Sequence, residues 1–143
     1  MLNELSFFEA AQSIKNGDIT SQRLTRDCLD RIEAREKKVK AWSFIDPELA
    51  LRQAQACDEA DSIKGTLHGV PFGVKDIIAT FDMPTGMGSP IYEGKYFGYD
   101  AACVALLRAS GAVILGKTVT VEFAGMAPPP TANPHNLECT PGG

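Results

Sequence analysis

The sequence predicts an α/β fold, a sheet with helices against it, preceded by N-terminal helices. Three observations point there. Composition changes near Gly65: up to Thr66 there are 12 acidic and 10 basic residues with two glycines and one proline, whereas the remainder holds 6 and 4 with eleven glycines and eight prolines. Charged, glycine-poor sequence suits solvent-facing helices, and glycine-punctuated apolar runs suit buried strands and sharp loops. Next, "AACVALLRAS" passes through Gly111 straight into "AVIL", and a helix followed at once by a buried strand is the unit of layered α/β folds. Finally, a chain of 143 residues can hide roughly two thirds of its unfolded surface, enough for one domain. Residues 1–64 are therefore read as a helical lead-in and 65–143 as a strand and loop region of the same domain.

Ser6 with Glu9 three residues on forms a capping box, and Gly17 supplies a stop, so a short helix is expected between them. A second helix starts at Thr20 or Ser21 and ends near Lys40, with Leu24, Cys28 and Ile32 recurring every four residues on one face. Asp46-Pro47-Glu48 places a capping carboxylate before a first-turn proline and opens a helix over Leu49 to Ala60. In "GTLHGVPFGVKDII" the residues Val70, Phe72, Val74, Ile77 and Ile78 read as a strand in which Gly69 and Gly73 mark close approaches. Glycines at 86, 88, 94 and 98 make Met83 to Tyr99 an irregular loop. Asp100 is expected to cap the helix "AACVALLRAS", which Gly111 closes, and the chain after Phe123 reads as loop.

The net charge of −4 and the 22% of charged residues give no basic stripe for nucleic acid. The longest apolar run, Ala101 to Leu107, is far below the roughly 18 residues of a membrane span. The start lacks a cationic segment ahead of an apolar run, so no membrane partner and a cytoplasmic location are expected. Cys28, Cys57, Cys103 and Cys139 form no C-x-x-C pair and have only His68 and His135 for company. Reduced, packing thiols are expected, with neither metal nor cofactor. The two histidines read as solvent-facing or loop-satisfying groups.

"GAVILGKT", residues 111–118, spells the phosphate-loop pattern. A working phosphate loop needs a strand, then a glycine-rich turn, then a helix whose positive end faces the phosphates. Here the helix precedes Gly111, the residues between the glycines are strand, and "VTVEFAG" follows. The context argues against a nucleotide site and places Lys117 at the end of a strand. The more informative lysine is Lys75, within an apolar strand and next to Asp76. To act as a general base near pH 7 it would have to lose its proton, and from an ordinary value of about 10.4 only about one in 2500 has done so. Closing that gap needs a depression of roughly three pH units, about 4 kcal/mol, which buried lysines reach. On residue chemistry alone, a Lys75 that snorkels from the strand end and pairs with Asp76 is the stronger reading.

The blocks "GTLHGVPFGVKDII", "MPTGMGSPIY", "DAACVALLRASGAVILGKTVTVEFA" and "TANPHNLECTPGG" resemble, in order and spacing, the opening of an amidase signature enzyme, and "GDITSQRL" is similar to that family's lead-in. The resemblance implies hydrolysis of a carboxylic amide C–N bond, or amide transfer, by a Ser-cisSer-Lys triad. It implies an α/β/α sandwich around a mixed β-sheet, maps the base onto Lys75, and puts the Met83 to Tyr99 loop and the turn with Phe123, Gly125 and Met126 beside the substrate region; Asp76, in the same block as Lys75, is expected to orient it. It implies a small-molecule amide substrate and no cofactor, with a homo-oligomer or a complementing C-terminal segment as partner. In that family the serine- and glycine-rich stretch follows "TPGG". The serines here, at 6, 13, 21, 43, 62, 89 and 110, lie outside it. The chain is thus expected to be the N-terminal part of an amidase domain, truncated before the serine motifs, with an open sheet edge and no activity alone. The alternatives are an amidotransferase A-subunit-like chain, a non-catalytic binding or assembly module, and a phosphate-loop protein.

Overall fold

The computed structural model describes residues 1–125 and 128–142. Its regular elements are α1 (Phe7–Asn16), α2 (Ser21–Val39), β1 (Trp42–Ile45), α3 (Pro47–Asp58), β2 (Pro71–Lys75), α4 (Ala102–Ala109) and β3 (Val113–Thr118), with 3-10 turns at Leu2–Glu4, Pro90–Tyr92 and Glu122–Ala124. The three strands form one sheet in the order β1-β3-β2. β1 runs antiparallel to β3. Val113 donates to the Val70 carbonyl and Asp76 donates to the Thr118 carbonyl, so β2 runs parallel to β3 and the sheet is mixed. The α/β class with N-terminal helices is as the sequence predicts. By contacts the described residues fall into two compact units, residues 1–32, 46–72 and 105–115, and residues 33–45, 73–104 and 116–143. This partition interleaves the lead-in with the strand region.

In the first unit the predicted helix signals act as expected. Ser6 and Glu9 exchange both capping-box bonds, at 2.8 and 3.3 Å, and Gly17 closes α1 at φ 78°. The hydroxyl and backbone N–H of Ser6 hold the exposed Glu9 carboxyl below its usual range. Asp46 accepts from Leu49 N–H at 2.9 Å with Pro47 in the first turn of α3. The start of α2 has a device the sequence hides. Besides Thr20 accepting from Arg23 N–H, the carboxylate of Asp58, at the far end of α3, accepts from Ser21 and Gln22 N–H at 2.7 and 3.0 Å, placing a negative charge on the positive helix end.

Small residues bring α3 against β3. Ala54, Cys57 and Val113 form a buried cluster, and Val113 and Ile114 are wholly enclosed, a burial worth about 1.5–3 kcal/mol for each side chain. The amide of Gln53 serves as a substitute strand: its Oε1 accepts from Ile114 N–H at 3.1 Å and its Nε2 donates to the Ile114 carbonyl at 3.2 Å. His68 is buried with both ring nitrogens engaged, Nδ1 accepting from Lys64 N–H at 3.2 Å and Nε2 lying 3.0 Å from the Cys57 carbonyl. It satisfies a loop, as expected.

In the second unit β1 is a strand that periodicity does not reveal, since four residues between a helix end and a helix cap are too few. It is assembled from outside. Glu36 accepts from Ala41 and Trp42 N–H at 3.1 and 2.9 Å, and Val119 donates to the Ala41 carbonyl. The β1–β3 register slips between Trp42 and Phe44, a bulge whose extra residue, Ser43, donates its hydroxyl to the Lys117 carbonyl at 3.1 Å. Gly116 is required there, because a Cβ would collide with the Phe44 carbonyl. β2 ends at Lys75, short of the expected Ile78, because the chain turns back with Ile78 N–H donating to the Lys75 carbonyl. α4 begins at Ala102, and Asp100 Oδ1 accepts from Phe81 N–H. No helix among the described residues is long and apolar enough to cross a membrane.

Candidate active site

Lys75 is the last residue of β2 and is half-buried. The next residue, Asp76, is 5% exposed and every polar group it has is occupied. Its N–H donates to the Thr118 carbonyl and its carbonyl accepts from Met87 N–H. Its carboxylate accepts from Gly86 N–H, 3.2 Å to each oxygen, and Oδ1 lies 3.3 Å from the ammonium of Lys117. Adjacency in sequence suggests a pair between Asp76 and Lys75; in the structure the carboxylate belongs to Lys117 of β3, beside the turn that Asp76 opens after β2.

Lys117 is the enclosed lysine of the site, at 0% exposure. Its ammonium also donates to Thr85 Oγ1 at 2.6 Å and to the Pro84 carbonyl at 3.2 Å. Burial pushes its proton affinity below that of an ordinary lysine, while the charges of Asp76 and Asp82 and the Asp76 hydrogen bond pull it back up. The phosphate-loop reading of 111–118 fails on this geometry: Gly111 ends α4 in the left-handed region at φ 88°, Val113 to Thr118 is strand, and the lysine is committed to protein acceptors. Two sequence signals could have exposed the pair. Lys117 follows within two residues of the apolar run Ala112 to Leu115, and Asp76 is the one carboxylate in the block from Gly65 to Ile78.

The two stretches expected at the substrate region meet through Met87. Its N–H donates to the Asp76 carbonyl and its own carbonyl accepts from Phe123 N–H, both at 2.9 Å. Ser89 adds a bond of 2.7 Å to Glu122, Gly125 N–H donates to the Glu122 carbonyl, and the ring of Phe123 stands edge-on to Tyr92 at 6.0 Å. Met87, Phe123 and Ala124 all have φ of 50–54°, left-handed backbone that non-glycine residues adopt at a cost of about 1–3 kcal/mol each and that collects at functional sites. Met126 lies outside the described residues. A cleft of about 340 Å³ opens beside Asp76, bordered by Ser43, Gly86, Gly88, Ser89 and Glu93. No group of three or more metal-ligating side chains is present among the described residues.

The sequence matches the amidase family over residues 23–143, and the chain belongs to that family, the amidase signature enzymes. It is 42% identical over 127 residues to the putative amidase AmiD of Mycobacterium tuberculosis H37Rv, covering 86% of this chain and 26% of that one. It is 41% identical over 143 residues to the A subunit of the glutamyl-tRNA(Gln) amidotransferase of Mycobacterium leprae, covering 93% and 29%. Among solved structures it resembles a peptide amidase bound to the competitive inhibitor chymostatin, with a TM-score of 0.89 and 29% identity over 98% of this chain and 32% of that one. The chain thus spans under a third of the length of these relatives.

Proposed function

We propose that this chain works within an enzyme that attacks carboxylic amide C–N bonds by serine acyl chemistry, with Lys75 as the base that starts the proton relay. One observation carries the reading. The carboxylate that would hold Lys75 in an ordinary surface pair is engaged by Lys117 and Gly86, while Lys75 itself stands half-buried at a strand end. In this reading Asp76 orients the strand end, and Phe123 and Gly125, which bond to Met87 and Glu122, border the substrate.

The substrate class is a small carboxylic amide. Four unpaired cysteines fit a reducing cytoplasmic setting. The 41% identity to the A chain of an amidotransferase favours a second reading, in which the amide nitrogen leaves as ammonia and passes to a carboxyl acceptor supplied with a partner, while water takes the acyl group from the serine. The protein expressed from its complete reading frame is to be offered simple aliphatic, aromatic and peptide amides, with ammonia release measured. Turnover with no added acceptor or partner is expected for the hydrolase, and turnover that requires an added acceptor and partner protein identifies the transferase. Failure to cleave any amide under either condition rejects the proposal.

A further inference from the structure

We propose that Lys117 is a positioning residue for Lys75, acting through Asp76; this rests on the assignment of Lys75 as the base. The ammonium of Lys117 has three N–H bonds to give, and it meets three acceptors: Asp76 Oδ1 at 3.3 Å, Thr85 Oγ1 at 2.6 Å and the Pro84 carbonyl at 3.2 Å. Asp76 follows the last residue of β2, and Pro84 and Thr85 belong to the loop that returns to it. One enclosed cation thereby ties the strand end to the loop.

The tie is closed from the other side. Gly86 N–H donates to both Asp76 oxygens, Met87 N–H donates to the Asp76 carbonyl, and Asp76 N–H donates to the Thr118 carbonyl. A Cβ at Gly86 would lie 3.1 Å from Asp76 Oδ2, close enough to press the carboxylate out of place by a few tenths of an ångström. With its backbone and carboxylate both held, Asp76 cannot rotate, and the peptide joining it to Lys75 is fixed with it. Apolar residues of the same volume would stabilise a fold at least as well as a buried ion pair. What the charged pair adds is direction, because each bond has a required angle and length. A reacting base gains from such placement, and misplacement by about an ångström can cost on the order of 100-fold in rate.

The test uses the protein from its complete reading frame, with amide hydrolysis and thermal melting measured for Lys117→Met, Lys117→Met/Asp76→Asn and Thr85→Val, and Lys75→Ala as reference. Lys117→Met strands the Asp76 carboxylate, so Tm falls. Adding Asp76→Asn removes the unpaired charge and restores Tm, while the Asn oxygen still accepts from Gly86. Positioning predicts that kcat of the double variant nevertheless stays down on the order of 10- to 100-fold, with KM within about twofold. Thr85→Val, which keeps the ion pair and removes one acceptor, lowers kcat in the same way. Recovery of kcat together with Tm reduces Lys117 to a prop for the fold and overturns the proposal. If the Lys117 variants do not accumulate as folded protein, Thr85→Val decides, and a wild-type kcat there overturns it. An active Lys75→Ala enzyme rejects the base assignment itself; an inactive one beside fully active Lys117 variants rejects only the positioning role.

Discussion

The ammonium of Lys117 lies 3.3 Å from Oδ1 of Asp76, with Lys117 wholly enclosed and the Asp76 side chain nearly so. Removing one partner of a buried pair leaves the other charge uncompensated, which costs about 3–5 kcal/mol. Lys117→Met is therefore expected to lower unfolding free energy by that amount in urea titrations. Lys75→Ala, at a half-buried strand end, should change stability by less than about 1 kcal/mol. A larger loss from Lys75→Ala than from Lys117→Met would mean that the enclosed lysine had been wrongly assigned.

How much of this was legible follows from what each signal depends on. The capping box at Ser6 and Glu9, the stop at Gly17 and the cap at Asp46 are local rules written in adjacent residues, and the structure shows them. Strand β1 was not legible, because Trp42–Ile45 exists through Glu36 on one side and β3 on the other. The cap that Asp58 gives α2 spans 37 residues in sequence, beyond any local pattern. The site divided along the same line. Lys75 and Asp76 stood out as a charged pair in an apolar block, but β2 ends at Lys75 and Asp76 opens the turn after it, where its carboxylate meets a partner from another strand. That partner was already conspicuous in "GAVILGKT", where the letters suggested a phosphate ligand and the strand context made it a buried counter-ion.

Gln53 stands in for a strand by pairing with both the N–H and the carbonyl of Ile114, and Arg108 donates to the same Gln53 oxygen at 3.2 Å. Replacing it by leucine keeps the volume and leaves the two buried backbone groups without their partner. Each such group costs about 1–3 kcal/mol, so Gln53→Leu should lower stability by at least 2 kcal/mol or so, measured by chemical denaturation. A neutral result would mean that water or another group takes over the Ile114 bonds.

Thr25 on α2 behaves in the opposite sense. It is 0% exposed and its hydroxyl has no hydrogen-bond partner among the described residues. Thr25→Val exchanges that hydroxyl for a methyl of similar shape, so stability should be unchanged or rise by about 1 kcal/mol. A Tm lowered by several degrees would reveal a partner for the hydroxyl.

The cysteines should separate by reactivity. Burial, reinforced by the charge of Asp27, pushes the Cys28 thiol up to about 11, and burial raises Cys57 as well, whereas Cys103 and Cys139 are exposed. At pH 8 a disulfide reagent should label Cys103 and Cys139 promptly and Cys28 and Cys57 slowly. Because the folded value of Cys28 exceeds the ordinary 9.0, its contribution to stability is full below pH 9 and is lost as pH climbs toward about 11. Prompt labelling of Cys28 at pH 8, followed by mass spectrometry of the peptides, would contradict this burial.

The central claim is that Lys75 is the base of an amide-cleaving enzyme. The measurement that bears on it most directly is kcat/KM for amide hydrolysis by the protein from its complete reading frame, wild type against Lys75→Ala, at a temperature where both are folded. Loss of a general base costs about 100- to 10,000-fold, and a fall in that range with an unchanged melt is expected. A Lys75→Ala enzyme that keeps wild-type kcat/KM would contradict the account.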